Sequence, residues 1–293
     1  MTRLSLFYKI KKSAFFVVLF FLLGYKSNGQ ATQYKENTEI GFATGVSYYL
    51  GDLNKIHFYQ SSPSAGFIIR RNIDRRFSYR AEAMFINIRS DERNSKDTIA
   101  QNRGLHFSNN IFEENGSPIY DLSGEIEFNF LPYETGNPLY TWTPFIYTGI
   151  SFFHFNPKAE NQYGEWVALQ PLGTEGQGTT TFPERKKYSL IQFAIPLGGG
   201  LKIAVNKSFN IIIDYCIRKT FTDYLDDVST SYVGGITDPF PVEMDLDAQA
   251  MSDPNGTHLK GEQRGDPNKK DWYSFVGITL SFKLNNNTIG CDY

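Results

Sequence analysis

Histidine is scarce in this 293-residue chain. The four present, His57, His106, His154 and His258, are scattered, with no pair at metal-ligand spacing and no His-Glu-x-x-His element, so metal catalysis has no support in the sequence. No Gly-x-Ser-x-Gly element occurs, which removes the commonest hydrolase nucleophile. Asp245, Asp247 and Asp253 share a segment that lacks the glycine and terminal glutamate of a calcium loop, and they read as a solvated acidic loop. Gly198, Gly199 and Gly200 match a phosphate loop only by glycine count. Without a following Lys-Ser/Thr, and lying mid-strand, they are expected to let a sheet bend. No catalytic, cofactor-binding or metal residue can be named.

Long apolar runs are equally scarce. One occurs, Ala14 to Leu23, preceded by Arg3, Lys9, Lys11 and Lys12 and followed by Ser27-Asn28-Gly29. Ten apolar residues are about half of the roughly 20 that a membrane-crossing helix needs. The order of basic, apolar and small residues predicts a signal peptide over 1–29, cleaved after Gly29. Losing its five cations, Lys26 included, would carry the formal charge from −2 to −7 over the remaining 264 residues. A mildly acidic chain argues against nucleic acid as a partner.

Aromatic residues, in contrast, are abundant: 25 Phe and 18 Tyr bring the aromatic share to 16% although mean hydropathy is −0.36. The segment Tyr120-Asp-Leu122-Ser-Gly124-Glu-Ile126-Glu-Phe128-Asn-Phe130 shows how they are placed. Successive side chains of a strand point to opposite faces, so this alternation gives one aromatic and aliphatic face and one acidic and amide face. Such strands suit a wall between lipid and a polar interior. Eight are expected, at about 39–51, 64–72, 77–89, 118–131, 143–156, 188–204, 209–222 and 271–283. The connections at 73–76, 132–142 and 205–208 are short, those at 90–117, 157–187 and 223–270 long, and 52–63 intermediate. Sorted loops of this kind predict an all-β fold, an eight-stranded antiparallel up-and-down transmembrane β-barrel over 39–283. Segment 30–38 would precede it in the periplasm and tail 284–293 would follow it there, with the longer loops outside.

Register follows from the cost of a charge against lipid, about 2–4 kcal/mol for Arg or Lys at mid-depth. Phe77, Tyr79, Ala81, Ala83 and Phe85 should face lipid, as should Phe145, Tyr147, Gly149, Phe153 and Phe155, and Ile211, Ile213, Tyr215 and Ile217. Arg80, Glu82, Glu125, Glu127, Asp214 and Arg218 should point inward. An eight-stranded barrel has room only for side chains, so mixed charges there are read as an ion-pair network rather than an ion path. Cys216 should be a free buried thiol. Cys291, in an oxidising compartment, has three options: a disulfide to another protein, a pair with Cys216, or no partner.

Two segments carry a family likeness: Glu39-Ile-Gly-Phe-Ala-Thr-Gly-Val-Ser-Tyr-Tyr-Leu-Gly-Asp-Leu-Asn54 and Arg218-Lys-Thr-Phe-Thr-Asp-Tyr-Leu-Asp-Asp-Val-Ser229. With Thr143 to Phe153 and Phe193 to Lys202, they resemble the PorG-like barrel family of the Bacteroidetes type IX secretion system. The most specific part is Asp223, Tyr224, Leu225, Asp226 and Asp227. The resemblance implies a structural component, not an enzyme, that anchors a periplasmic ring of a lipoprotein and a soluble partner to the outer membrane, in a machine for protein transport and gliding motility. Cys291, Tyr293, Tyr133 and Trp142 are the candidate partner contacts, and membrane lipid is the other expected partner. No cofactor and no small-molecule substrate are expected. A small barrel for surface adhesion or defence, and an outer-membrane hydrolase, are the alternatives. Within the motif, Tyr224 and Leu225 are expected at the membrane interface, with Asp223, Asp226 and Asp227 capping loop amides or pairing with Arg218 and Lys219.

Overall fold

A computed structural model describes residues 34–93 and 95–284. The expected signal peptide and the tail residues Cys291 and Tyr293 lie outside the described residues. In chain order the elements are β1 (Asn37–Leu50), β2 (Ser62–Asn72), β3 (Phe77–Ile86), β4 (Ile88–Asp91), α1 (Thr98–Arg103), β5 (His106–Asn109), β6 (Ile119–Asn129), β7 (Trp142–His154), β8 (Lys158–Glu160), β9 (Trp166–Ala168), α2 (Leu169–Leu172), β10 (Ile191–Ala204), β11 (Phe209–Thr220), α3 (Leu246–Ser252) and β12 (Trp272–Leu284). Eight of the strands close a barrel in the order β1-β12-β11-β10-β7-β6-β3-β2. Every neighbouring pair is antiparallel, and the seam runs from Thr38 opposite Leu284 to Leu50 opposite Trp272. All eight expected barrel strands are present, with ends shifted by three residues at most.

Turns 73–76, 130–141 and 205–208 lie at one end of the barrel, together with Asn37 and Leu284. Connections 51–61, 87–118, 155–190 and 221–271 lie at the other end. The alternation in β3 is complete: Phe77, Tyr79, Ala81, Ala83 and Phe85 are exposed on the outer wall and Arg80, Glu82 and Met84 are buried. Ile213 on β11 likewise faces out, while Asp214 and Arg218 face in.

Strand β7 is a correction. Its outer face is Ile146, Thr148, Ile150 and Phe152; Phe145, Tyr147, Phe153 and Phe155, expected to face lipid, are buried inside. Aromatic or aliphatic residues occupy both faces here, so alternation alone carries no sign. The interior position is fixed by polar partners that reach across the interior from β3 and β11. Arg80 sits over the Tyr147 ring at 4.1 Å, and the Tyr147 hydroxyl donates to Asp214 at 2.8 Å. Gly198 of β10 serves this arrangement, for a Cβ there would lie 2.2 Å from the Tyr147 ring. Gly199 and Gly200 instead lie close to backbone, at the Phe145 and Ile213 carbonyls.

The long connections are not plain loops. β4, β5, β8 and β9 form a second, four-stranded sheet, and with the helices they build a cap whose buried core includes Ile88, Leu105, Phe107, Leu169, Leu225 and Met251. That core continues into the barrel through Tyr49, Phe153 and Tyr273. Strands of three or four residues are too short to show a periodicity, which is why the sequence concealed the sheet. At the opposite end, turn 130–141 folds into the barrel mouth. Tyr133 is only 3% exposed and donates to Asn210 at 2.9 Å, and Thr135 donates to Glu39 at 2.7 Å. Tyr133, expected as a partner contact, is instead part of the plug.

Candidate functional site

The barrel interior is an ion network. Arg70 lies 2.9 Å from both carboxylate oxygens of Glu127 and 3.1 Å from Glu39. Arg80 contacts Glu125 at 3.1 Å, Asp214 at 3.2 Å and Glu82. Arg218 reaches Glu82 at 3.0 Å and Asp121 at 3.2 Å, while Lys202 pairs with Glu127. All six residues expected to point inward are therefore brought together. Sequence reasoning missed Glu39, Arg70, Asp121 and Lys202, although each alternates with lipid-facing neighbours on its strand. Taking ions out of water is costly, and only such mutual pairing offsets the loss. The packed side chains leave the interior filled, and the cap and the turn 130–141 cover its two mouths.

Residues 223–227 fold into the cap, not at the membrane interface. Leu225 is fully buried, and Tyr224 stacks on Tyr188 with ring centroids 4.8 Å apart. Asp223 accepts from Ser229 Oγ at 2.7 Å, Asp226 from the Val228 amide at 3.0 Å and from Tyr49, and Asp227 from Tyr188 at 2.8 Å and from Thr174. The pairing expected with Arg218 and Lys219 is not made, because Arg218 is spent inside the barrel and Lys219 lies over Trp272 at 5.4 Å. The cation that serves the motif is Arg264, which donates to the Asp227 carbonyl at 2.6 Å and to Glu175 at 3.1 Å. It comes from a distant part of the chain, and no local spacing announces it. Asp253 is corrected as well, for it is buried and accepts from His258 Nδ1 at 2.8 Å, whereas Asp245 is exposed as expected and caps α3 by accepting from the Ala248 amide at 2.7 Å.

Burial dominates the acid–base behaviour of this cap. It pushes Asp223 and Glu92 up to about 7 and Asp227 up to about 6, against the pull of Ser229, Arg103 and Arg264 respectively. Asp226 and Asp271 are raised well above the ordinary range for the same reason. A carboxyl whose folded pKa is raised binds its proton more tightly folded than unfolded, so its stabilising contribution is complete below about pH 4 and fades as pH rises through 6 to 7. Backbone amides of 221–232 should therefore exchange hydrogen more readily at pH 8 than at pH 5, after correction for intrinsic rates. Equal protection at both values would count against the buried acids as the determinant.

The second sheet has two unlike faces. Ile88, Ser90, Phe107 and Ala159 pack inward, whereas pairing of Arg89 with Ser108 and of Ser108 with Lys158 sets those three on the outer face. Asp91, His106, Glu160 and Trp166 share that face by the period of two. Above it, segment 110–118 brings Glu113 to 4.0 Å from Arg89. The result is a cleft of about 350 Å³ lined by Arg89, Asp91, Arg93, Ser108, Glu113 and Trp166, among others.

A closed eight-stranded wall with an apolar exterior, a salt-bridged interior and a folded cap defines a small β-barrel of the outer-membrane type. The chain belongs to DUF6089, a family described as a domain of unknown function, whose model matches residues 12–232. No curated protein matches it in sequence. Among solved structures it is similar to Neisserial surface protein A, at 9% identity over 86% of this chain and 100% of that one, with a TM-score of 0.39. The N-terminal β-barrel domain of Pseudomonas aeruginosa OprF is similar at 10% identity over 84% of this chain and 98% of that one, TM-score 0.35. Ail, the attachment invasion locus protein of Yersinia pestis, is similar at 8% identity over 86% of this chain and 100% of that one, TM-score 0.36.

Proposed function

We propose that the protein is a non-enzymatic outer-membrane scaffold that holds a folded recognition cap on the cell surface, in the manner of small adhesion or defence barrels. The sealed interior carries this reading: a barrel packed with paired charges and covered at both mouths offers no conduit, so the cap is the part free to meet a partner. The orientation follows bacterial barrels, with short turns and both ends of the barrel in the periplasm and long connections outside. A biotin label on a cysteine introduced at Lys260 should react in intact cells, and one introduced at Lys207 should react only after the outer membrane is opened. The reverse pattern would overturn the orientation and with it the surface role.

A second reading, the type IX secretion anchor, is favoured by turn 130–141. Its inner side plugs the barrel while Leu139, 80% exposed, and Trp142, 52% exposed, stand at the end that carries both barrel termini. Apolar residues exposed on an ordered turn suit a periplasmic ring lipoprotein or its soluble partner. Co-purification of ring proteins from detergent, lost in Leu139→Ser with Trp142→Ser, would support the anchor.

A further inference from the structure

We propose that the cleft on the outer face of the second sheet is a binding site for a neutral saccharide. The floor is Ser108, only 3% exposed, and its Oγ has no hydrogen-bond partner. A buried hydroxyl left unpaired costs about 1–3 kcal/mol, and here it lies at the base of an open cleft whose occupant can satisfy it. The direction of Ser108 follows from register, since it stands opposite Arg89 on one side and Lys158 on the other, on the face turned away from the hydrophobic core.

The walls select the ligand class. Arg93 is matched by Asp91 at 2.8 Å and by Glu160 at 2.9 Å, Arg89 stands 4.0 Å from Glu113, and Lys158 donates to the Asn115 carbonyl at 2.5 Å. The three cations of this face, Arg89, Arg93 and Lys158, are thus matched in number by three carboxylates, Asp91, Glu113 and Glu160. His106 adds no charge, because burial holds its pKa below the usual value and its ring is engaged by the Glu160 backbone at 3.0 Å. A phosphate or sulfate would find no surplus cation. A polyhydroxyl ligand, by contrast, can donate to Asp91 and Glu113 and accept from Arg89 and Ser108. The Trp166 ring on the last strand supplies an apolar surface against which the C–H face of a pyranose can lie. The volume of about 350 Å³ is at the small end of ordinary ligand sites, enough for one or two sugar rings.

This deepens the surface-recognition reading by naming what the cap would hold, and it revises the expectation that no small molecule binds. The test uses full-length protein purified in an amine-oxide detergent, since maltoside and glucoside detergents carry sugar headgroups. Methyl glycosides of glucose, galactose, mannose and N-acetylglucosamine are offered one at a time, and saturation-transfer NMR reads contact with the ring protons. At least one should bind with a Kd of roughly 0.1–10 mM, as weak sugar sites do. Trp166→Ala should abolish the transfer, Ser108→Ala should weaken it by about 5- to 20-fold, and sodium sulfate should not compete. A heat-modifiable band on gels shows that each variant still holds the barrel. The proposal is overturned if none of the four glycosides binds, if binding survives both substitutions, or if sulfate displaces the sugar. Because the measurement needs no cell, its failure is distinct from failure of the labelling experiment above.

Discussion

Glu127→Ala is expected to leave little folded barrel. This carboxylate holds Arg70 at 2.9 Å, Lys202 in a closer contact and Arg80 at 3.6 Å, with all of the side chains buried. Its loss would strip Lys202 of its ion-pair partner and leave it buried beside Arg70 and Arg80, which keep only their other carboxylates. Removing one partner of a buried pair costs about 3–5 kcal/mol, and total stability is typically only about 5–15 kcal/mol. The heat-modifiable shift on gels should shrink or vanish and the urea midpoint should fall. A compensating design separates electrostatics from packing: Glu127→Leu with Lys202→Met removes charge of both signs and leaves Arg70 with Glu39 and Arg80 with Glu125, so most of the midpoint should return. By comparison, Glu134→Ala breaks the partly exposed pair with Arg75 and a hydrogen bond from Asn137, and should cost about 1 kcal/mol. A single Glu127→Ala variant with the parental midpoint would show that the network fills space without stabilising the fold.

The second large effect is on the outer wall. Ile146→Lys should impair assembly into bilayers by about 2–4 kcal/mol, the cost of a cation against lipid near mid-depth. Tyr147→Phe, one residue away, should cost only about 1–3 kcal/mol, because it keeps the ring against Arg80 and loses just the bond to Asp214. The two positions test the register of β7 directly. If Tyr147→Lys were tolerated less well than Ile146→Lys in bilayers yet equally in detergent, the assigned faces of this strand would be wrong.

The barrel could be read from the sequence because lipid and a polar interior impose opposite chemistry on alternate residues. Where both conditions hold, as in β3 with its aromatic and alanine outside and its Arg80 and Glu82 inside, the face is legible. In β7 the inner face includes Phe145 and Tyr147, packed against Lys202 and Arg80 from other strands, and Phe153, packed on Tyr273. Its own residues carry no sign. The cap was illegible for a different reason. Its strands are too short for periodicity, and its key ion, Arg264, meets Glu175 and Asp227 across loops distant in the chain. Ser108 gave no local signal at all, since an unpaired hydroxyl becomes notable only once burial is known.

The seam between β1 and β12 also governs how the chain can assemble. Thr38 meets Leu284 and Ile40 meets Phe282, so the first and last barrel strands are joined only after the whole intervening chain is available. Closing so long a loop costs conformational entropy that is repaid only when the final ladder forms, and folding dominated by such distant contacts is slow. Until then β1 and β11 each present an open edge able to pair with another chain. Completion of the seam thus acts as a late commitment step, and a nascent chain arrested before Trp272 would persist as an edge-bearing species prone to pair with others of its kind.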